Sequence, residues 1–87
     1  MYRAEPSSNF ERKMKKLMKK DHLRYERVRK KIVEICEEPH HCEPLGNIMA
    51  GVQRVHIGPY VVTFKIDEAS KTVRLLDFDH HDKIYKN

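Results

Sequence analysis

The sequence predicts an α+β domain in the order β-α-α-β-β-β, with a helical hairpin packed on one face of an antiparallel sheet. Two observations carry this expectation. Over residues 1–37 the apolar positions recur at helical spacing in two separate stripes, and over 52–79 they alternate with period two between turn signals. Helices segregated from a run of hairpin-connected strands is the α+β pattern. The 87 residues make one domain, divided as 1–37 strand plus basic helical hairpin, 38–51 loop, 52–79 three-stranded meander and 80–87 tail. A chain this short buries only about 60–65% of its unfolded surface, so the core is modest.

The elements follow in order. Met1 to Ala4 reads as an edge strand that Pro6 stops. Ser8-Asn9-Phe10-Glu11 reads as a capping box, after which Phe10, Met14, Leu17 and Met18 fall on one helical stripe. Asp21 caps a second helix, whose stripe is Tyr25, Val28, Ile32, Ile35 and Cys36, and Pro39 marks its end. So short a link predicts an antiparallel helix pair, and each stripe needs cover. Glu37 to Gly51 carries Pro39, Pro44, Gly46, Asn47 and Gly51 and reads as a loop without regular structure.

Val52 to Ile57 then alternates, Val55 and Ile57 on one side and Arg54 and His56 on the other. Gly58-Pro59 fits a hairpin turn. Tyr60, Val62, Phe64 and Ile66 share a face, with Val61, Thr63 and Lys65 opposite. Asp67 to Lys71 is a second turn, and Thr72 to Asp79 the last strand, where Leu75-Leu76 breaks the alternation as a bulge would. His80 to Asn87 is a polar tail with room for a helical turn. The face left uncovered by the helices is expected to be open and polar, and to carry Arg54, His56, Thr63 and Lys65.

Charge is uneven. The net charge is +5, but residues 1–35 hold a balance of +7 and residues 36–87 one of −2. A basic half of this kind suits a polyanion or an acidic protein partner, and equally a solubilising helix surface. No apolar run approaches the ~18 residues of a membrane span. Two cysteines make no disulfide framework, and the expectation is a cytoplasmic protein with reduced thiols. Glycines are too dispersed for a phosphate loop. Cys36, His40, His41 and Cys42 lack the paired spacing zinc favours, and His80-His81 lie elsewhere, so neither a metal site nor a cofactor is expected.

Arg54 and His56 on an open sheet face bring together a bidentate phosphate ligand and a group that titrates near neutrality. Cleavage of RNA without metal needs such a set. A base takes the 2′-hydroxyl proton, that oxygen attacks phosphorus, cations stabilise the added charge and an acid protonates the departing 5′-oxygen. Glu43 or His56 suits the base and His81 the acid. An Arg-x-His on a strand is also a common solvated surface, so the residues alone leave three readings open: a nuclease, a binding protein, or a small basic RNA-binding module.

The element order, Glu43-Pro44-Leu45, the strand Arg54-Val55-His56-Ile57-Gly58 and the ending His80-His81-Asp82-Lys83-Ile84-Tyr85 together resemble the RelE superfamily of toxin–antitoxin ribonucleases, across nearly the whole chain. The resemblance implies a RelE-like, microbial-RNase-like fold. It implies a general base at Glu43, as in the YoeB branch. It further implies an acid–base pair of His56 and His81, as in the YafQ branch, with Tyr85 stacking on or positioning a base. Arg54, Lys65, His80 and Lys83 would contact the substrate. The implied activity is cleavage of mRNA at the ribosome. The implied partners are a small acidic cognate antitoxin, the ribosome and mRNA, with no membrane. Two departures stand out: relatives often carry arginine where Val61 stands and where His81 stands. The ParE type of the superfamily, which inhibits gyrase by binding, and a catalytically weak antitoxin-binding homologue are the alternatives.

Overall fold

The computed structural model describes residues 1–41, 43, 44 and 51–84, with the backbone alone described at Glu43 and Pro44. The elements are β1 (Arg3–Pro6), α1 (Ser8–Lys20), α2 (His22–Glu37), a 3-10 turn (Pro39–His41), β2 (Glu43–Pro44), β3 (Gln53–Ile57), β4 (Tyr60–Asp67), β5 (Thr72–His80) and α3 (His81–Ile84). The α+β arrangement and its order are as expected from the sequence. Three details differ. The segment 37–51, expected to be irregular, contributes the 3-10 turn and the two-residue β2. The sheet, in the order β1-β5-β4-β3-β2, is mixed rather than antiparallel, because β1 lies parallel to β5. The first helix is capped one residue earlier than expected, by Ser7: its Oγ accepts from the Phe10 amide at 3.1 Å and donates to the Leu76 carbonyl at 2.9 Å. Ser8 has no such second partner in its reading as a cap, and the tie to β5 decides between the two.

Asp21 caps α2 as expected, its carboxylate accepting from the Arg24 amide. The two helical stripes meet the sheet. Phe10 and Met14 from α1 and Val28, Ile35 and Cys36 from α2 close over Ile57, Val62, Phe64, Val73, Leu75 and Phe78. Phe64, at the middle strand of the sheet, is fully buried. Gly58 takes a positive φ of 59° at the first position of the β3–β4 turn, and Pro59 fixes a negative φ at the second. That sequence of angles is the II′ hairpin turn, which glycine followed by proline supplies without strain. The alternation break in β5 is a bulge: Phe64 faces Leu75 and Thr63 faces Asp77, leaving Leu76 over.

The face turned away from the helices is less open than its sequence suggests. Val61 and Thr63 alternate out of the helix-packed core, yet they are 0% and 5% exposed. The solvent-facing polar positions are therefore displaced to the flanks, with His56 at one end and Lys65 at the other.

A second cluster clips the ends of three segments together. The Tyr2 hydroxyl donates to both Glu68 carboxylate oxygens at 2.7 and 3.0 Å, His40 Nε2 lies 2.6 Å from Oε1, and Lys71 Nζ lies 3.2 Å from Oε2. The Tyr2 bond first, then His40, hold the Glu68 carboxyl down at about 2 from an ordinary 4.5. A carboxyl whose folded value is depressed stabilises the fold above its unfolded value and loses that contribution as the pH falls through the folded one. The window here runs from about 4.5 down to about 2. Glu68→Gln is expected to flatten the dependence of stability on pH inside that window and nowhere else, as read from urea midpoints taken across it. An unchanged acid limb in the variant would show that the cluster contributes nothing to stability.

Candidate functional site

The strand ladder decides which of the expected site residues share a neighbourhood. His56 on β3 faces Val61 on β4, which faces Asp79 on β5; the next row is Ile57, Tyr60 and His80. The His81 amide donates to the Pro59 carbonyl at 2.9 Å, so α3 starts against the β3–β4 turn. His56, His80 and His81 thus occupy the same end of the sheet. Two strand spacings, roughly 10 Å, separate the His56 backbone from that of β5, with β4 between them. By the register His56 is on the face turned away from the helices and His80, level with Ile57 and Tyr60, on the helix-packed face.

Tyr60 organises the helix side of this end. It stacks on Phe78 with ring centroids 5.1 Å apart, carries the Arg24 guanidinium over its ring at 4.5 Å, and takes the His80 ring edge-on at 5.7 Å. The His80 and His81 rings lie 4.7 Å apart, and Asp82 lies beside both, 3.6 Å from His80 Nδ1 and 3.1 Å from His81 Nε2. Where β5 runs beyond the end of β1, Lys13 of α1 donates to Asp77 at 2.7 Å and to Asp79 at 2.9 Å. Partial burial works against the Lys13 charge, but the bonds to the two carboxylates outweigh it and raise its pKa. Burial likewise works to raise the Asp79 pKa, and the Lys13 bond overcomes this and lowers it. Both groups stay ionised, and the pairing cancels much of the acidic charge that would repel a phosphate here.

Arg54 is half-buried and His56 exposed, and both are engaged by neighbours in the folded chain. They join Lys31, Glu34, Glu38 and His41 around a cleft of about 490 Å³ between the C-terminal half of α2 and β3. The volume suits a nucleotide-sized group, but Glu34, Glu37 and Glu38 on one wall make that wall unfavourable for an anion.

Glu43 pairs with Arg54 across β2 and β3, which brings its backbone alongside the Arg54–His56 strand. Tyr85 lies outside the described residues, as does Cys42. Lys83 is exposed, with its Nζ 4.0 Å from Asp79. Lys65 faces Arg74 near the far end of β4, four residues or about 13 Å along the strand from the His56 row, and so is not brought together with the histidines. Cys36 is buried on the apolar stripe, and burial pushes its thiol up. Among the described residues, the side chains whose arrangement could hold a metal are His80, His81 and Asp82. Sequence reasoning passed over Asp82 and the Lys13–Asp77–Asp79 group. An acidic residue directly after a histidine pair, and two acids alternating on the last strand, were the available signals.

The family model described as the ParE toxin of the type II toxin–antitoxin system, parDE, matches residues 5–85. The chain belongs to the RelE/ParE superfamily of toxins. A Methanocaldococcus jannaschii protein named as a candidate toxin, RelE4, is 40% identical to this RelE-superfamily chain over 99% of its length and 93% of the relative's. Among solved structures, the E. coli RelBE toxin–antitoxin complex has a chain that superposes with a TM-score of 0.76 at 17% identity, covering 92% of this toxin and 96% of that chain. E. coli YafQ superposes with a TM-score of 0.68 at 16% identity, covering 99% and 100%. Identities this low speak for the fold, which is the RelE fold. The membership makes this chain a toxin of a toxin–antitoxin system. Among the described residues no helix is long and apolar enough to cross a membrane.

Proposed function

We propose that this toxin is a metal-independent endoribonuclease that cleaves mRNA at the ribosome and so inhibits translation in the cytoplasm. The observation that supports the reading is the gathering of His56, His80 and His81 at the end of the sheet beside the β3–β4 turn, where α3 begins against Pro59. His81 protonates the 5′-oxygen as it leaves. His56 or Glu43 takes the 2′-hydroxyl proton, with Tyr85 stacked on or positioning a base. Arg54, His80 and Lys83 meet phosphate oxygens around the reaction, and Lys65 meets the chain farther along β4. Val61 is buried where relatives often place an arginine, so stabilisation of the pentavalent phosphorus falls to Arg54 and a protonated histidine. The exposed Lys and Arg side chains of α1 and α2 fit the electrostatic approach to ribosomal RNA. A cognate antitoxin, as in the RelBE complexes, is the proposed protein partner, acidic enough to oppose the basic helices.

The family model's own name favours a second reading, a ParE-type toxin that inhibits gyrase by binding. Expression of the chain alone in a bacterial host separates the two. Growth arrest with new mRNA 5′ ends, mapped by sequencing and reproduced in a cell-free translation reaction, is the expected result. Arrest with intact mRNA and a DNA-damage response would assign the protein to the second reading.

A further inference from the structure

We propose that the junction of β5 and α3 is a binding site for a first-row transition dication of the zinc class, held by His80, His81 and Asp82. Donor atoms of the three side chains all lie within 4.8 Å of one another. A tetrahedral zinc with bonds of about 2.0–2.2 Å needs its ligand atoms roughly 3.3 Å apart, so the site must close by roughly 1.5 Å. Rotation about side-chain torsions achieves that, because the His81 and Asp82 side chains are 47% and 76% exposed. The backbone beneath them is already held. The His81 amide is bonded to the Pro59 carbonyl, and the His80 ring rests against Tyr60, itself stacked on Phe78.

The chemistry of the donors selects the ion. Two imidazole nitrogens and one carboxylate suit zinc and its neighbours, and are poor ligands for magnesium or calcium, which take oxygen. The Asp82 amide donates to His80 Nδ1 at 3.2 Å, so that nitrogen holds its lone pair and Nε2 its proton. A metal either takes Nδ1 directly or takes Nε2 while the ring proton moves to Nδ1. In both cases the amide gives up its imidazole acceptor and turns to water. The carboxylate already lies beside both rings, 3.6 Å from His80 Nδ1 and 3.1 Å from His81 Nε2. Three protein ligands leave a fourth position for water.

Coordination would also silence the proposed nuclease, since an imidazole bound to zinc cannot hand its proton to a leaving oxygen. This consequence rests on the role proposed for His81; the binding site itself does not.

The test titrates the full chain, free of any affinity tag, with zinc chloride by calorimetry and with cobalt chloride by visible absorption. One equivalent bound, with the intense visible bands of tetrahedral cobalt, is the expected result. His80→Ala and His81→Ala should each weaken binding by at least about tenfold. Asp82→Asn, a change of the same shape at an exposed position, should also weaken it with the fold intact by circular dichroism. The double variant of His40 and His41 to alanine, the other adjacent pair, should bind as wild type. Absence of heat and of cobalt bands, or loss of binding in the His40/His41 variant, would overturn the site. Zinc added to the cleavage reaction should stop it. Zinc that binds at this site without slowing cleavage would leave the site standing and remove His81 from the chemistry.

Discussion

Replacing His81 by alanine is expected to slow RNA cleavage by about 10²–10⁴-fold, the usual contribution of a positioned proton donor. The loss should appear in kcat with KM little changed, because the proton is delivered as the bond breaks and not when substrate binds. His56→Ala should match it if the imidazole is the base. If Glu43 is the base, Glu43→Gln carries the loss instead and His56→Ala costs less. The Glu43 backbone lies opposite Arg54 on the neighbouring strand, so both candidates start from the same corner of the sheet. The measurement is single-turnover cleavage of a ribosome-bound message by wild type and the three variants. Wild-type rates in His81→Ala would eliminate it as the acid, whatever the toxicity of the protein.

The second large effect concerns the fold. Phe64 sits on the central strand, is fully buried, and belongs to the core that both helices close over. Phe64→Ala is expected to cost about 3–5 kcal/mol, the sum of lost transfer energy and the cavity left behind. A domain of this size has about 5–15 kcal/mol of total stability at most, so the variant should be largely unfolded or shifted to a much lower urea midpoint. Helix and sheet signals should be lost together, since neither helical stripe has another surface to cover it. A shift of under about 1 kcal/mol would mean that the helices draw their stability from somewhere other than β4.

These two experiments probe features of different legibility. The core was readable from periodicity: Phe10, Met14, Val28 and Ile35 on helical stripes, and Val62 and Phe64 on alternating strand positions. The Asp21 cap, the Gly58-Pro59 turn and the bulge at Leu75-Leu76 were readable too, because each follows from local chemistry in a few adjacent residues. The site was readable only as a set of residue types. Arg54 and His56 announced themselves by alternation, and His81 by its place on the tail after the last strand, with the family pattern then implying its pairing with His56; none of this placed them relative to one another.

What the sequence by itself determined is therefore the inventory: two basic amphipathic helices, an N-terminal edge strand and three later strands, the turns of the meander and the faces its strands present. These depend on interactions within about one helical turn or one strand repeat, which any chain carries with it. Tertiary structure decided the parallel pairing of β1 with β5, the choice of Ser7 over Ser8 as the cap, the burial of Val61 and Thr63 on a face expected to be open, and the meeting of His80, His81 and Asp82 against Pro59. Each of these joins residues distant in sequence, or depends on a backbone bond to such a residue. Their energies come from contacts that form only once the helices have closed on the sheet.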